Sequence, residues 1–173
     1  MLLPETKPAS EYIDGQIYQK TMPQGKHSIL QSRLGIAINQ VGEPQKIGYA
    51  FPELTCTFGG RSFVPDIAVF EWLHIPLNAK GEIANVFPLA PDWIIEILSP
   101  EKTSTRVINK ILFCLKQNTK LGLLVDHEEK LVIIFLPQRE PEVMENEDIL
   151  PVLSGWEDLQ LSVNDLFQWL TFK

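Results

Sequence analysis

The sequence predicts an α/β fold of the α+β kind, a mixed β-sheet flanked by helices, and three segments predict it together. Trp93-Ile94-Ile95-Glu96-Ile97-Leu98 is a nearly continuous apolar run, the pattern of a strand buried on both faces. Thr103 to Gln117 follows as an amphipathic crossover helix, with Val107, Ile108, Ile111, Leu112 and Leu115 on one stripe. Leu121 to Val125 and Leu131 to Leu136 then read as two strands joined through Asp126 to Lys130 as a hairpin. Strands, crossover helix and hairpin combine into a sheet with helices on its faces.

The remaining elements follow in order. The opening to about Gly25 is rich in Pro and polar residues and predicts a short turn-and-strand segment around Tyr12 to Tyr18. His27 to Gln40 carries Ile29, Leu30, Leu34, Ile36, Ala37 and Ile38 mostly at helical spacing. Lys46 to Phe58 reads as one or two strands with a break at Phe51-Pro52, and Gly59-Gly60 as a turn. Phe63 to Phe70 is expected as one strand, with a loop running through Ala79-Lys80-Gly81. Val163 to Leu170 predicts a short terminal helix, with Ser162 and Asp165 spaced as a capping box.

The 173 residues suit one core-bearing domain over 1–173, with 1–25 an N-terminal segment and 138–173 an acidic C-terminal segment packed on it. Cys56 and Cys114 are too few for a disulfide framework and read as buried thiols in a reducing compartment. Met1 to Glu5 lacks the basic flank and apolar run of a signal peptide, and no apolar stretch reaches membrane-spanning length, so a cytoplasmic setting without a membrane is expected. The formal charge of −7 argues against a general nucleic-acid-coating protein. Its distribution is more informative. Residues 138–173 hold 8 acidic and 2 basic residues, whereas residues 1–137 hold 14 and 13. Between 97 and 125, Lys102, Arg106, Lys110, Lys116 and Lys120 face Glu101 as the one acid, so a basic segment exists that could meet a phosphate backbone.

Glu96 interrupts the most apolar strand of the chain, where an unpaired buried charge is expensive. A metal ion, a Lys or Arg partner, a raised pKa or an edge position facing solvent would each account for it. Asp66, after Pro65, is its natural companion, unless it simply starts a strand or turn. Alternation puts Asp66 on one face with Ala68 and Phe70, and Glu96 on one face with Ile94 and Leu98. On neighbouring strands the two acids could converge on one hard cation, Mg²⁺ or Mn²⁺. Lys110 lies off the apolar stripe of its helix, as a solvated lysine or as a cation near the acids. No Walker loop, no Gly-x-Ser-x-Gly elbow and no His-x-x-x-His zinc pattern occurs, which removes P-loop NTPases and α/β-hydrolases. His74 and His127 read as surface residues.

The segments PETKPASEYIDGQIYQKTMPQGKHS, TFGGRSFVPDIAVF and APDWIIEILSPEKTSTRVINKILFCLKQNTKLGLLVD resemble the Uma-two family, bacterial restriction-endonuclease-like proteins of the PD-(D/E)XK nuclease superfamily. The resemblance implies a restriction-endonuclease-like fold, with Pro65-Asp66 as the PD motif and Glu96 as the second metal-binding acid. The lysine usual two residues after that acid is replaced by Leu98, and Lys110 matches the helical lysine taken to stand in for it. The family's following Tyr and Gly positions hold Cys114 and Asn118. Glu11 matches a position for a further acid, and His27 or Gln31 positions for a phosphate or water contact.

The expected function is metal-dependent endonucleolytic hydrolysis of nucleic acid, DNA first. Asp66, Glu96 and the Ile97 backbone carbonyl would hold Mg²⁺ or Mn²⁺, and Lys110 would position water or neutralise phosphate. Lys102, Arg106, Lys116 and Lys120 would contact the nucleic-acid backbone. Small nucleases of this superfamily often dimerise, two sites cutting two strands, so the resemblance implies a homodimer. The alternative is a catalytically degenerate nuclease fold acting as a DNA-binding or protein-interaction module. A third reading makes Trp156, Phe167, Trp169 and Phe172 a hydrophobic dimer surface.

Overall fold

A computed structural model describes residues 4–173; of the Met1 to Glu5 stretch expected to lack a signal peptide, Met1 to Leu3 lie outside them. The chain opens with a hairpin, β1 (Ser10–Ile13) and β2 (Gln16–Gln19), closed by Asp14-Gly15, both at positive φ. Helix α1 (Gly25–Gly42) follows, two residues longer at each end than its apolar spacing suggests. Next come β3 (Gly48–Pro52), β4 (Cys56–Phe58), β5 (Arg61–Phe63) and β6 (Ile67–Glu71), then a 3-10 turn over Trp72–His74. After a long loop come β7 (Trp93–Ile97), α2 (Ser104–Lys116), β8 (Leu121–Asp126), β9 (Leu131–Phe135), β10 (Glu142–Glu145) and α3 (Val163–Gln168).

The strands form two sheets. The larger has the order β10-β9-β8-β7-β6-β3, and the smaller β2-β1-β5-β4. Within the larger sheet β7 and β8 run parallel, bridged by α2, and every other neighbouring pair is antiparallel. The sheet is therefore mixed and flanked by helices, as the sequence predicts. Strict alternation sorts its side chains onto two apolar clusters. Ile67, Val69, Trp93, Ile95, Ile97, Leu123 and Val125 pack with Leu30, Leu34 and Ile38 of α1. Ala68, Phe70, Ile94 and Leu124 pack with Val107, Ile111 and Cys114 of α2 and with Cys56, Phe58 and Phe63 of the small sheet.

Phe63 to Phe70 is not one strand. The chain leaves the small sheet after Phe63 and enters the large one at Ile67, so Val64-Pro65-Asp66 spans the gap. Proline supplies no N–H and fits where ladder pairing stops. β10 carries no apolar run in the sequence, because its exposed Glu-Val-Met-Glu pattern is that of a charged sheet edge.

The acidic C-terminal stretch packs through its apolar residues: Leu150, Leu153, Trp156, Leu161, Val163 and Leu166 join the α1-side cluster. Trp156 is fully buried, donates Nε1–H to the Ile38 carbonyl at 3.0 Å, and meets Trp93 edge-on. It lies so close to Gly48 that a Cβ there would fall 2.5 Å from its ring and 2.3 Å from the Phe70 carbonyl oxygen. The expected dimer surface is thus corrected. Trp156 and Phe167 belong to the core, Trp169 packs against it, and of the four Phe172 alone is exposed, under the Arg33 guanidinium. Ser162 and Asp165 form the expected capping box, each side chain bonding the other's backbone N–H at 3.0 Å. No helix among the described residues is long and apolar enough to cross a membrane.

Candidate functional site

Asp66 sits one residue before β6, and that strand pairs Ile67 with Ile95, so Asp66 falls next to Glu96 in the same antiparallel register. Its carboxylate is wholly buried and fully engaged. Oδ2 accepts the Ile97 backbone N–H at 2.8 Å and the Lys102 ammonium at 2.7 Å, with His27 Nε2 at 3.2 Å. Oδ1 accepts Lys20 at 2.9 Å. Burial pushes this carboxyl up, but Lys20, the His27 hydrogen bond and Lys102 outweigh it and hold it well below the usual range. Asp66 is therefore an anchored anion.

Glu96 projects from the middle of β7 towards α2, because Ile94 on the same face packs into the α2-side cluster. Its Oε1 accepts Lys110 at 2.8 Å, and the same ammonium donates to Glu11 on β1 at 2.5 Å. Lys110 is buried, not a solvated lysine, and Glu11 also accepts the Val64 N–H at 2.9 Å. Burial lowers the Lys110 pKa, yet Glu11 and Glu96 together raise it above its ordinary value. Glu96 moves the other way for a carboxylate: burial, opposed by Lys110 and reinforced by Asp66, lifts it above the ordinary value. Its second oxygen, Oε2, is buried and has no hydrogen-bond partner.

Lys102 ties the two acids together. Its Nζ lies 2.7 Å from Asp66 Oδ2, 2.9 Å from the Ile97 carbonyl oxygen and 3.6 Å from Glu96 Oε2. It does not stand on the surface as a ready nucleic-acid contact: the side chain is 11% exposed and points into the acid cluster. The reason is its place in the short segment after β7, from which the ammonium folds back over the end of that strand.

Three oxygen groups converge on one positive charge, and hard oxygen donors of this kind could hold Mg²⁺ or Mn²⁺. The unpaired Glu96 Oε2 is the acceptor such an ion would complete. The residues therefore fit the metal that the sequence implies, through Asp66, Glu96 and the Ile97 carbonyl.

Comparison with known proteins places the chain in a family. The family model Uma2, described as "Putative restriction endonuclease", matches residues 1–164. The chain belongs to the Uma2 family. A crystal structure described as a putative nuclease belonging to DUF820, from Anabaena variabilis, is 54% identical, with a TM-score of 0.96 over 98% of this chain and 95% of that one. No curated protein matches the sequence.

In this Uma2 chain the other expected residues divide into two groups. Gln31 and His27 come to the acids from α1. Gln31 Nε2 donates to the Asp66 backbone carbonyl at 2.8 Å and to Glu53 at 3.0 Å, while His27 keeps Nδ1 unpaired. Arg106 stands at the mouth of the cluster, its guanidinium 4.1 Å over the Tyr18 ring, and lines a cavity of about 140 Å³ with Glu96, Lys102 and Lys110. Lys116 and Lys120 are not brought there. Lys116 ends α2, and Lys120 precedes β8, bonded to Glu71 beside the start of β7, the end of the sheet opposite Ile97.

Two site residues carried no sequence signal strong enough to find them. Lys20, just after β2, donates to Asp66, to the Val64 carbonyl at 2.7 Å and to Glu53 at about 3.1 Å, and these partners raise its pKa against the lowering by burial. Glu53 follows the Phe51-Pro52 break at positive φ. Both border a second, larger cavity of about 600 Å³ that opens onto Asp66 and Lys102 beneath the N-terminal segment. His127, expected on the surface, is buried, with Glu128 at 3.3 Å. At the far end of β6 and β7, Glu71, His74 and Asp92 also cluster, but Asp92 already accepts His74 Nδ1 and the Glu71 N–H, and Glu71 accepts Lys120.

Proposed function

We propose that this Uma2 chain is a metal-dependent endonuclease that hydrolyses phosphodiester bonds, with DNA as substrate and Mg²⁺ or Mn²⁺ as cofactor. One observation carries the reading: a single ammonium reaches Asp66, the Ile97 carbonyl and Glu96, so one cation position is shared by two acids from adjacent strands. A divalent ion held there supplies a nucleophile at neutral pH by acidifying a water and stabilises charge on the scissile phosphate.

The protein's part is positioning. The Ile97 N–H and His27 fix Asp66 on one side, and Lys110 fixes Glu96 on the other. Lys110 spends its ammonium on two buried carboxylates, so it is a positioning residue that acts through Glu96 rather than by reaching the phosphate. Arg106, at the open side, is placed to meet the nucleic-acid backbone, whose contacts set affinity and register. A homodimer, with one site for each strand of a duplex, completes the proposal.

The test is cleavage of plasmid and linear DNA with Mg²⁺ or Mn²⁺ by the parent, Asp66→Asn and Glu96→Gln, each checked for folding by circular dichroism. Loss of cleavage in both folded variants and in EDTA supports the reading; parental rates in either variant sink the assigned site. One observation favours the second reading, a non-catalytic nucleic-acid-binding or protein-interaction module: Lys20, Lys102 and Lys110 already sit among the acids. That module would show no saturable Mn²⁺ heat by calorimetry.

A further inference from the structure

We propose that Lys102 is a tethered cation that holds the metal position, and that a divalent ion enters by displacing it. The inference rests on the metal-site reading above and adds what that reading leaves open, namely what occupies the position beforehand and how it is vacated.

Three observations support it. The contacts of Nζ are the donor set itself: Asp66 Oδ2, the Ile97 carbonyl and, further out, Glu96 Oε2. The fit is incomplete, because at 3.6 Å Glu96 Oε2 stays without a hydrogen bond although it is buried. A lysine has three protons to give and here satisfies two oxygens. The third observation is charge. Glu11, Glu53, Asp66 and Glu96 bring four carboxylates, and Lys20, Lys102 and Lys110 three ammonium groups. With the carboxylates and ammonium groups counted as ionised and His27 as neutral, the cluster is one positive charge short, and exchanging the Lys102 ammonium for a divalent ion makes it neutral.

The position of Lys102 also permits exchange. It lies between β7 and α2, outside both elements, and borders both cavities, so its side chain can swing out without unpacking the sheet. Lys110 also borders the smaller cavity, but it is fixed on α2 and its ammonium is hydrogen-bonded to both Glu11 and Glu96 beside the Phe63 ring. The displaced ammonium would emerge beside Arg106, adding positive charge at the mouth where a phosphate backbone arrives. Metal loading and nucleic-acid affinity would then rise together.

Two measurements on the full chain test this. Mn²⁺ calorimetry compares the parent with Lys102→Met, and Lys116→Met, at the far end of α2, serves as a control. The expected result is about tenfold tighter Mn²⁺ binding by Lys102→Met, close to 1.4 kcal/mol, and parental affinity for Lys116→Met. Binding by Lys102→Met alone, with none by the parent, overturns the displacement: the ammonium then blocks the position instead of yielding it. The second measurement needs no variant: lysine acetylation by a soluble active ester, read by mass spectrometry with and without Mn²⁺. Lys102 should label about tenfold faster with Mn²⁺, a change in accessible population of the usual population-shift kind, while Lys110 stays protected. Saturable Mn²⁺ binding with Lys102 still protected and unchanged affinity in Lys102→Met overturns the displacement and leaves the metal site standing. No saturable binding by either protein overturns both.

Discussion

The Lys110 ammonium lies between Glu96, 2.8 Å away on the large sheet, and Glu11, 2.5 Å away on the small one, so a single buried cation joins the two sheets. Removing it strands two buried carboxylates. Lys110→Met should therefore destabilise the protein by about 3–5 kcal/mol, the usual cost of breaking a buried pair from one side. Adding Glu11→Gln and Glu96→Gln to Lys110→Met should recover most of that loss. Urea denaturation of the single and triple variants checks both statements, and a triple variant no more stable than the single would refute the account.

Asp66 predicts a pH dependence whose sign is fixed. Its folded pKa is lowered from 3.8, so its ionised form contributes stability that is present above that value and is lost as pH falls through the depressed folded pKa. At neutral pH, Asp66→Asn should be the less stable protein. The difference should narrow progressively below pH 3.8. Thermal melts of both proteins across the acid range measure it, and a constant gap would show that Asp66 acts by packing alone.

Arg106 and Lys120 should behave differently towards DNA. Arg106→Ala, at the mouth of the acid cluster, should weaken DNA binding and reduce the logarithmic salt slope by about 1. Lys116→Ala and Lys120→Ala, at the opposite end of the sheet, should leave both unchanged. Fluorescence anisotropy at several salt concentrations distinguishes them; equal losses for all three would move the nucleic-acid face away from Arg106.

Gly48 faces both the Phe70 carbonyl and the Trp156 ring at distances no Cβ tolerates. Gly48→Ala should cost about 1–3 kcal/mol or more, as overpacking of a filled core does. A chemical-denaturation midpoint equal to the parent's would show that both the Phe70 carbonyl and the Trp156 ring can shift aside.

Much of this was legible in the chain, for reasons that differ between residues. The apolar run at 93–98 and the stripe on α2 reveal burial directly, because water exclusion leaves its mark on residue type along the sequence. Asp66 and Glu96 stand out as charges in apolar company. Lys102 and Lys20 do not, since a lysine in a polar loop looks the same whether its head reaches solvent or folds back four carbons onto a buried acid. The split of Phe63 to Phe70 between two sheets was hidden because both halves share one apolar pattern and only Pro65 marks the seam. His127 was missed because its burial comes from the fold around a hairpin turn, not from its neighbours in sequence.

The bond from the Ile97 N–H to Asp66 has a consequence for reading relatives of this protein. The carboxylate that would grip a metal also fastens β7 to the segment entering β6, so one side chain answers to two selective pressures. A descendant that stopped cutting would still be penalised for losing it. Retention of the aspartate in a relative therefore testifies to the architecture first, and says nothing by itself about whether that relative still cleaves.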